Sequence, residues 1–167
     1  ALTGLHNRRR FDEILETEFL LATENGWPLT IGFIDLDHFK NVNDTHGHQV
    51  GDVVLSRVAA ILAQHVRERD FVMRYGGEEF VAMLPGTGME QAQTVFERLR
   101  LAVAREVHEG TAGSRFNATV SIGLASHMDG QRRAASAVDL VRAADKALYE
   151  AKRLGRNCIR IDEASAA

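Results

Sequence analysis

Apolar residues recur at helical spacing through Phe11, Ile14, Leu15, Phe19 and Ala22, which predicts an amphipathic helix from Arg8 to about Glu24, ended near Asn25-Gly26. The period then changes. Leu29 to Asp35, directly after Pro28, is β-branched and aromatic in character and reads as a strand buried on both faces. A polar loop through Asn41, Val42, Asn43 and Asp44 leads to a helix from about Gln49 to Val66, with Val50, Val53, Val54, Val58, Ile61 and Leu62 facing inward. Two short apolar runs, Phe71 to Met73 and Phe80 to Leu84, flank Arg74-Tyr75-Gly76-Gly77-Glu78-Glu79 and predict a hairpin with acid at its tip. Past Pro85-Gly86, Ala92, Val95, Phe96, Leu99 and Val103 mark another helix, and Asn117 to Ala125 alternates as a strand after a loop at Gly110 to Gly113. Gly130 to Ser136 reads as a mobile loop. The last helix spans about Ala137 to Leu154 and closes at Gly155, and Asn157 to Ile161 reads as a short final strand.

From Leu29 to Ala125 this order is βαββαβ, so the expected fold class is α/β of the α+β kind, a ferredoxin-like unit with a mainly antiparallel sheet. Its helices would cover one face, and a further helix flanks the unit at each end of the chain. The first crossover makes strands one and two parallel, which brings the carboxyl end of strand one to the edge that carries the hairpin tip. Asp35 is therefore expected to face Glu78 and Glu79.

Composition narrows the class. The 167 residues fit one domain, and a chain of this size buries about two-thirds of its unfolded surface. The net charge of -3 argues against a general nucleic-acid-binding surface. Cys158 is the only cysteine, so an internal disulfide is excluded and a reducing, cytoplasmic setting is expected; packing as a small apolar residue is its assigned role. No apolar run approaches the roughly 18 residues of a membrane span. Because the sequence opens on Ala1, an excerpt of a longer protein is expected, with a domain over 1–162 and a disordered tail over 163–167.

The hairpin glycines are expected to supply positive φ and let a ligand approach the backbone, while paired carboxylates attract a hard cation such as magnesium. Asp35 and Asp37 share a side while the strand stays extended, so one of them is expected to ligate metal, and structural capping is the rival role for Asp37. Asn43 offers a donor and an acceptor and Asp52 an acceptor, the groups that read a guanine edge, although both types also serve turns and helix starts. His46 and His48 lack a third histidine or a cysteine at zinc spacing and are read as packing residues.

Leu2-Thr3-Gly4-Leu5-His6-Asn7-Arg8-Arg9, Asp35-Leu36-Asp37-His38-Phe39-Lys40, Asn43-Asp44, Gly47-His48, Gly51-Asp52, Gly76-Gly77-Glu78-Glu79-Phe80, Asp145-Lys146-Ala147-Leu148-Tyr149, Ala151-Lys152 and Gly155-Arg156-Asn157 together resemble the GGDEF diguanylate cyclase family, with Glu78 in place of the signature aspartate. The resemblance implies a nucleotidyl-cyclase-like palm that condenses two GTP into cyclic di-GMP with release of pyrophosphate, using two Mg2+ or Mn2+ ions per active site. It implies metal ligation by Asp35, Glu78, Glu79 and the Leu36 carbonyl, and a proton-accepting role for Glu78. Phe39, Lys40 and Gly77 would lie along the phosphates, Lys152 and Arg156 would hold the terminal ones, and Asn43 and Asp52 would read guanine. It further implies a homodimer, since one domain supplies one half-site, and a sensor or receiver domain elsewhere in the full chain. Arg67 and Asp70, in Arg67-Glu68-Arg69-Asp70, stand at the spacing of the family's inhibitory product site, with Arg98 as a secondary contact. Three other readings stand beside this one: a non-catalytic cyclic di-GMP receptor, a GTP-binding interaction module, and the same chemistry on adenine.

Overall fold

The computed structural model describes residues 2–163; residues 164–167 of the expected tail lie outside them. Helix α1 (Arg8–Asn25) starts where the Asn7 side chain accepts the Arg10 N–H at 3.1 Å, and it stops at Gly26, whose left-handed φ of 70° turns the chain. Strand β1 (Leu29–Leu36) follows and is buried at every position, as its unbroken apolar run requires. Next come α2 (Phe39–His46), α3 (His48–Gln64), β2 (Phe71–Arg74), β3 (Glu79–Pro85) and α4 (Met89–Arg105). The remaining elements are β4 (Val107–Glu109), β5 (Arg115–Asn117), β6 (Val120–His127), α5 (Ala137–Arg153) and β7 (Ile159–Ile161).

Two elements differ from the sequence-based expectation. The polar stretch Asn41 to Asp44 is helical, because buried Phe39 anchors α2 and Gly47, at a φ of 87°, separates it from α3. The strand expected to begin at Asn117 begins at Val120, and residues 107–117 instead form a separate antiparallel hairpin, β4–β5, closed by one 3-10 turn at Thr111–Gly113. Neither strand of that hairpin exceeds three residues, too short for a period to register.

The main sheet has the order β2-β3-β1-β6-β7. β1 is antiparallel to β3 and β6, β2 is antiparallel to β3, and β7 joins β6 in parallel. β1 and β2 therefore run in the same direction with β3 between them, the arrangement the crossover argument requires. Ile34, Leu36, Phe80, Leu84, Ile122 and Leu124 belong to a core with Val58, Leu62, Phe96 and Leu99 of α3 and α4. Ile31, Phe33, Val81, Met83 and Ala125 belong to a second core with Phe11, Leu15, Leu140 and Leu148 of α1 and α5. The two added helices thus cover the other face, and each fully buried large side chain contributes about 1.5–3 kcal/mol. Gly123 fixes how closely α5 approaches: a Cβ there would stand 2.1 Å from the Leu148 backbone nitrogen. That approach fixes α5 against the sheet, and with it the helix end that carries Lys152.

The segment expected to be mobile is fastened at its start. Asp129 and Arg132 exchange backbone hydrogen bonds of 3.3 and 2.9 Å, and Asp129 Oδ2 accepts the Met89 N–H at 2.7 Å.

Candidate active site

The hairpin between β2 and β3 closes through two bonds to one carbonyl: the Tyr75 and Gly76 N–H groups donate to Glu79 O at 2.8 and 3.2 Å. Neither tip glycine has a positive φ, contrary to expectation. A Cβ at Gly76 would lie 2.8 Å from Glu79 Oε2, the far end of a flexible side chain, whereas Gly77 faces open space. Arg74 braces the tip by donating to the carbonyls of Gly76 (3.1 Å) and Gly77 (3.2 and 2.7 Å). The ring of Tyr75 packs edge-on to Phe11 and Phe33 and carries the Arg8 guanidinium 4.6 Å above its centre. Sequence reasoning assigned no role to Arg74 or Arg8, because the partners of each are settled only by the turn.

Asp35, in β1, stands directly opposite Glu79 of β3, and the Leu36 N–H donates to Glu78 O at 3.2 Å. The three acids that the element order brings to one edge therefore share it. Asp35 is only 5% exposed, and Lys152 Nζ of α5 lies 3.0 Å from its Oδ2. Burial raises the Asp35 carboxyl above the usual range, against the pull of Lys152 and Arg156. Glu78 and Glu79 are raised as well, first by burial and next by the charge of Asp35, with Lys152 opposing. Such mutual crowding costs the fold energy and suits a positive guest. Among the described residues, no three acid, imidazole or thiol groups close around a single point; Lys152 supplies the local positive charge.

Asp37 takes the structural role. It is 6% exposed and accepts from Thr119 Oγ1 (2.7 Å), Ser121 Oγ (2.6 Å) and the Asn157 N–H (3.0 Å). Phe39 and Lys40 occupy the first turn of α2, where backbone N–H groups have no intrahelical acceptor. Asn43, on α2, packs its amide oxygen where a side chain at Gly51 of α3 would sit, which brings it beside exposed Asp52. Lys152 and Arg156 mark the end of α5, and both lie within the field of Asp35.

On the far side of α3, Arg67 is exposed and Asp70 folds back to accept the Arg67 N–H at 2.9 Å, leaving its buried Oδ1 without a partner. Arg98 of α4 reaches the same corner and donates to His65 O at 2.8 Å, beside a cavity of about 670 Å³ lined by His65, Glu97, Arg98 and Leu101. His46 stacks on Phe116 with ring centres 4.6 Å apart, as a packing residue does.

A βαββαβ palm with carboxylates gathered where strand one meets a hairpin tip defines a domain of the nucleotidyl cyclase class. Comparison with known proteins names the family. The profile described as "Diguanylate cyclase, GGDEF domain" matches residues 1–158, and the chain belongs to that family. It is 42% identical over 159 residues to Response regulator PleD of Caulobacter vibrioides, an alignment covering 95% of this chain and 34% of PleD. The chain thus spans about a third of that curated relative. Among solved structures, it superposes with a TM-score of 0.91 and 34% identity on the GGDEF domain of DgcB from Caulobacter crescentus in complex with c-di-GMP, covering 98% of this chain and 94% of that one. The active GGEEF domain of a diguanylate cyclase from Vibrio cholerae aligns at a TM-score of 0.84 and 33% identity, covering 95% of this chain and 98% of that one.

Proposed function

We propose that the domain is a diguanylate cyclase that condenses two GTP molecules into cyclic di-GMP. The observation that carries the reading is the register pairing of Asp35 with Glu79 at the edge shared by Glu78, a carboxylate set fitted to divalent cations beside phosphate. In each half-reaction a ribose 3′-oxygen bonds to the α-phosphorus of the other nucleotide, the bond to pyrophosphate breaks, and the hydroxyl proton leaves to a base. Glu78 takes that proton. Asp35, Glu78, Glu79 and the Leu36 carbonyl would hold two Mg2+ or Mn2+ ions, which would neutralise charge on the phosphates and sharpen the attacking oxygen. Lys152 and Arg156 bind the terminal phosphates, the first-turn N–H groups of Phe39 and Lys40 cradle them, and Gly77 leaves room for the nucleotide beside the tip. Asn43 and Asp52 read guanine, with Asp52 accepting from its N–H groups, a choice that disfavours adenine.

Each chain offers one half-site, so two domains meet face to face as a homodimer. Product inhibition belongs to the corner of Arg67, Asp70 and Arg98, where Asp70 Oδ1 is an unused acceptor and two guanidinium groups suit guanine and phosphate. The full-length protein would add a sensor or receiver domain and work in the cytoplasm, and kinship with a protein named as a response regulator supports the regulatory part. Among the described residues no helix is long and apolar enough to cross a membrane. The test is turnover of GTP with magnesium in the wild type and in Arg67→Ala. Cyclic di-GMP should form in both, with its inhibitory potency weakened about tenfold or more in the variant. Unchanged inhibition removes the corner from the account, and an absence of product removes the cyclase.

A further inference from the structure

Three residues in a row, Gly155, Arg156 and Asn157, have φ of 111°, 64° and 46°. Two of them carry side chains, and a left-handed backbone at such residues persists only where the surroundings over-determine it. Asn157 is held from two sides. Its N–H donates to Asp37 Oδ2 at 3.0 Å, across 120 positions of sequence, and Asp37 is itself locked by Thr119 and Ser121 at 2.7 and 2.6 Å. From α4, Arg100 Nη1 donates to Asn157 O at 3.2 Å and to Asn157 Oδ1 at 2.7 Å. Arg100 is aimed in turn by Glu97, whose Oε2 accepts from Arg100 Nε at 2.8 Å and whose other oxygen accepts from Nη2. Between these grips the chain has one way to run, with the Arg156 N–H closing on Ala151 O at 3.0 Å. A simple strand-end cap at Asp37 accounts for its bonds to Thr119 and Ser121, but a cap needs neither the distant Asn157 nor a guanidinium from another helix.

We propose that Asp37, Asn157 and Arg100 are positioning residues that fix the backbone of Arg156 so that its guanidinium meets the terminal phosphates of a nucleoside triphosphate. The inference rests on the phosphate role given to Arg156 above. Arg156 is exposed at the end of a helix, and a long cation binds a phosphate strongly only when the segment beneath it is pre-organised. Arg100 touches no nucleotide; it acts through Asn157.

Calorimetric titration in magnesium with 3′-deoxy-GTP, which lacks the attacking hydroxyl, and with GMP, which lacks the terminal phosphates, separates positioning from general loosening. Wild type should bind the triphosphate more tightly. In Arg100→Ala, affinity for 3′-deoxy-GTP should fall about tenfold while affinity for GMP stays within roughly twofold. Asn157→Gly keeps the N–H but removes the Oδ1 that Arg100 grips and frees the backbone, so its triphosphate-to-monophosphate ratio should also fall, by about threefold or more. An unchanged ratio in Arg100→Ala, an equal loss for both ligands, or an Asn157→Gly ratio unchanged from wild type would overturn the positioning role while leaving the phosphate site intact. A wild type with no preference for the triphosphate would instead overturn the phosphate role of Arg156, and this inference with it.

Discussion

Asp35 is buried beside two glutamates that it pushes upward, an arrangement that folding alone does not favour. On the proposed reading a bound cation would relieve this repulsion, so activity and stability should separate. Glu79→Gln removes one of the crowded charges without removing bulk. Turnover is expected to drop at least about a hundredfold, while the melting temperature stays level or rises. Turnover within twofold of wild type would exclude Glu79 from the chemistry. At this scale the sequence was informative where element order alone decides: Asp35 opposite the hairpin tip follows from strand direction. It was silent on Arg74, Arg100 and the distant half of Asp37's bonding, because those contacts join segments that no local pattern relates. The tip glycines were legible as a turn but not for the expected cause, since neither takes a left-handed φ.

Elements with a long, regular period were readable from apolar spacing: α1, α3 and α5 begin and end within two residues of where that spacing places them, and α4 contains every position that marked it. α2 was not, since an eight-residue helix with only Phe39 buried leaves no stripe to detect. The β6 strand illustrates how an element's end is tied. His127, its last residue, stacks on Phe19 of α1 with ring centres 4.1 Å apart. Its Nδ1 accepts the Ala134 N–H at 3.1 Å, so the proton of the neutral ring sits on Nε2, 2.8 Å from Thr23 Oγ1. Burial, aided by Arg133, holds this imidazole below its ordinary pKa. The unfolded chain therefore binds a proton that the folded chain refuses once the pH falls below about 6.5. Stability from this joint is complete above that value and declines as acid is added through the lowered folded pKa. Buried His108, also lowered by burial, adds to the trend. Melting temperature should fall between pH 7 and pH 5, and fall less in His127→Gln; identical profiles would show that His127 carries none of the loss.

The molecule as a whole is a palm covered on both faces, with its chemistry on one edge and an arginine-rich corner on the far side of α3. That edge carries Asp35, Glu79 and Lys152, and on the proposed reading one chain holds one nucleotide while condensation needs two. Activity should accordingly depend on meeting a second copy. The most direct measurement follows product by mass while enzyme concentration is varied, with GTP and magnesium, for the free domain and for a covalently tethered dimer. Cyclic di-GMP is expected from both, with specific activity rising with concentration for the free domain and constant for the tethered one. A folded, tethered dimer that binds GTP and yields no cyclic di-GMP would contradict the account.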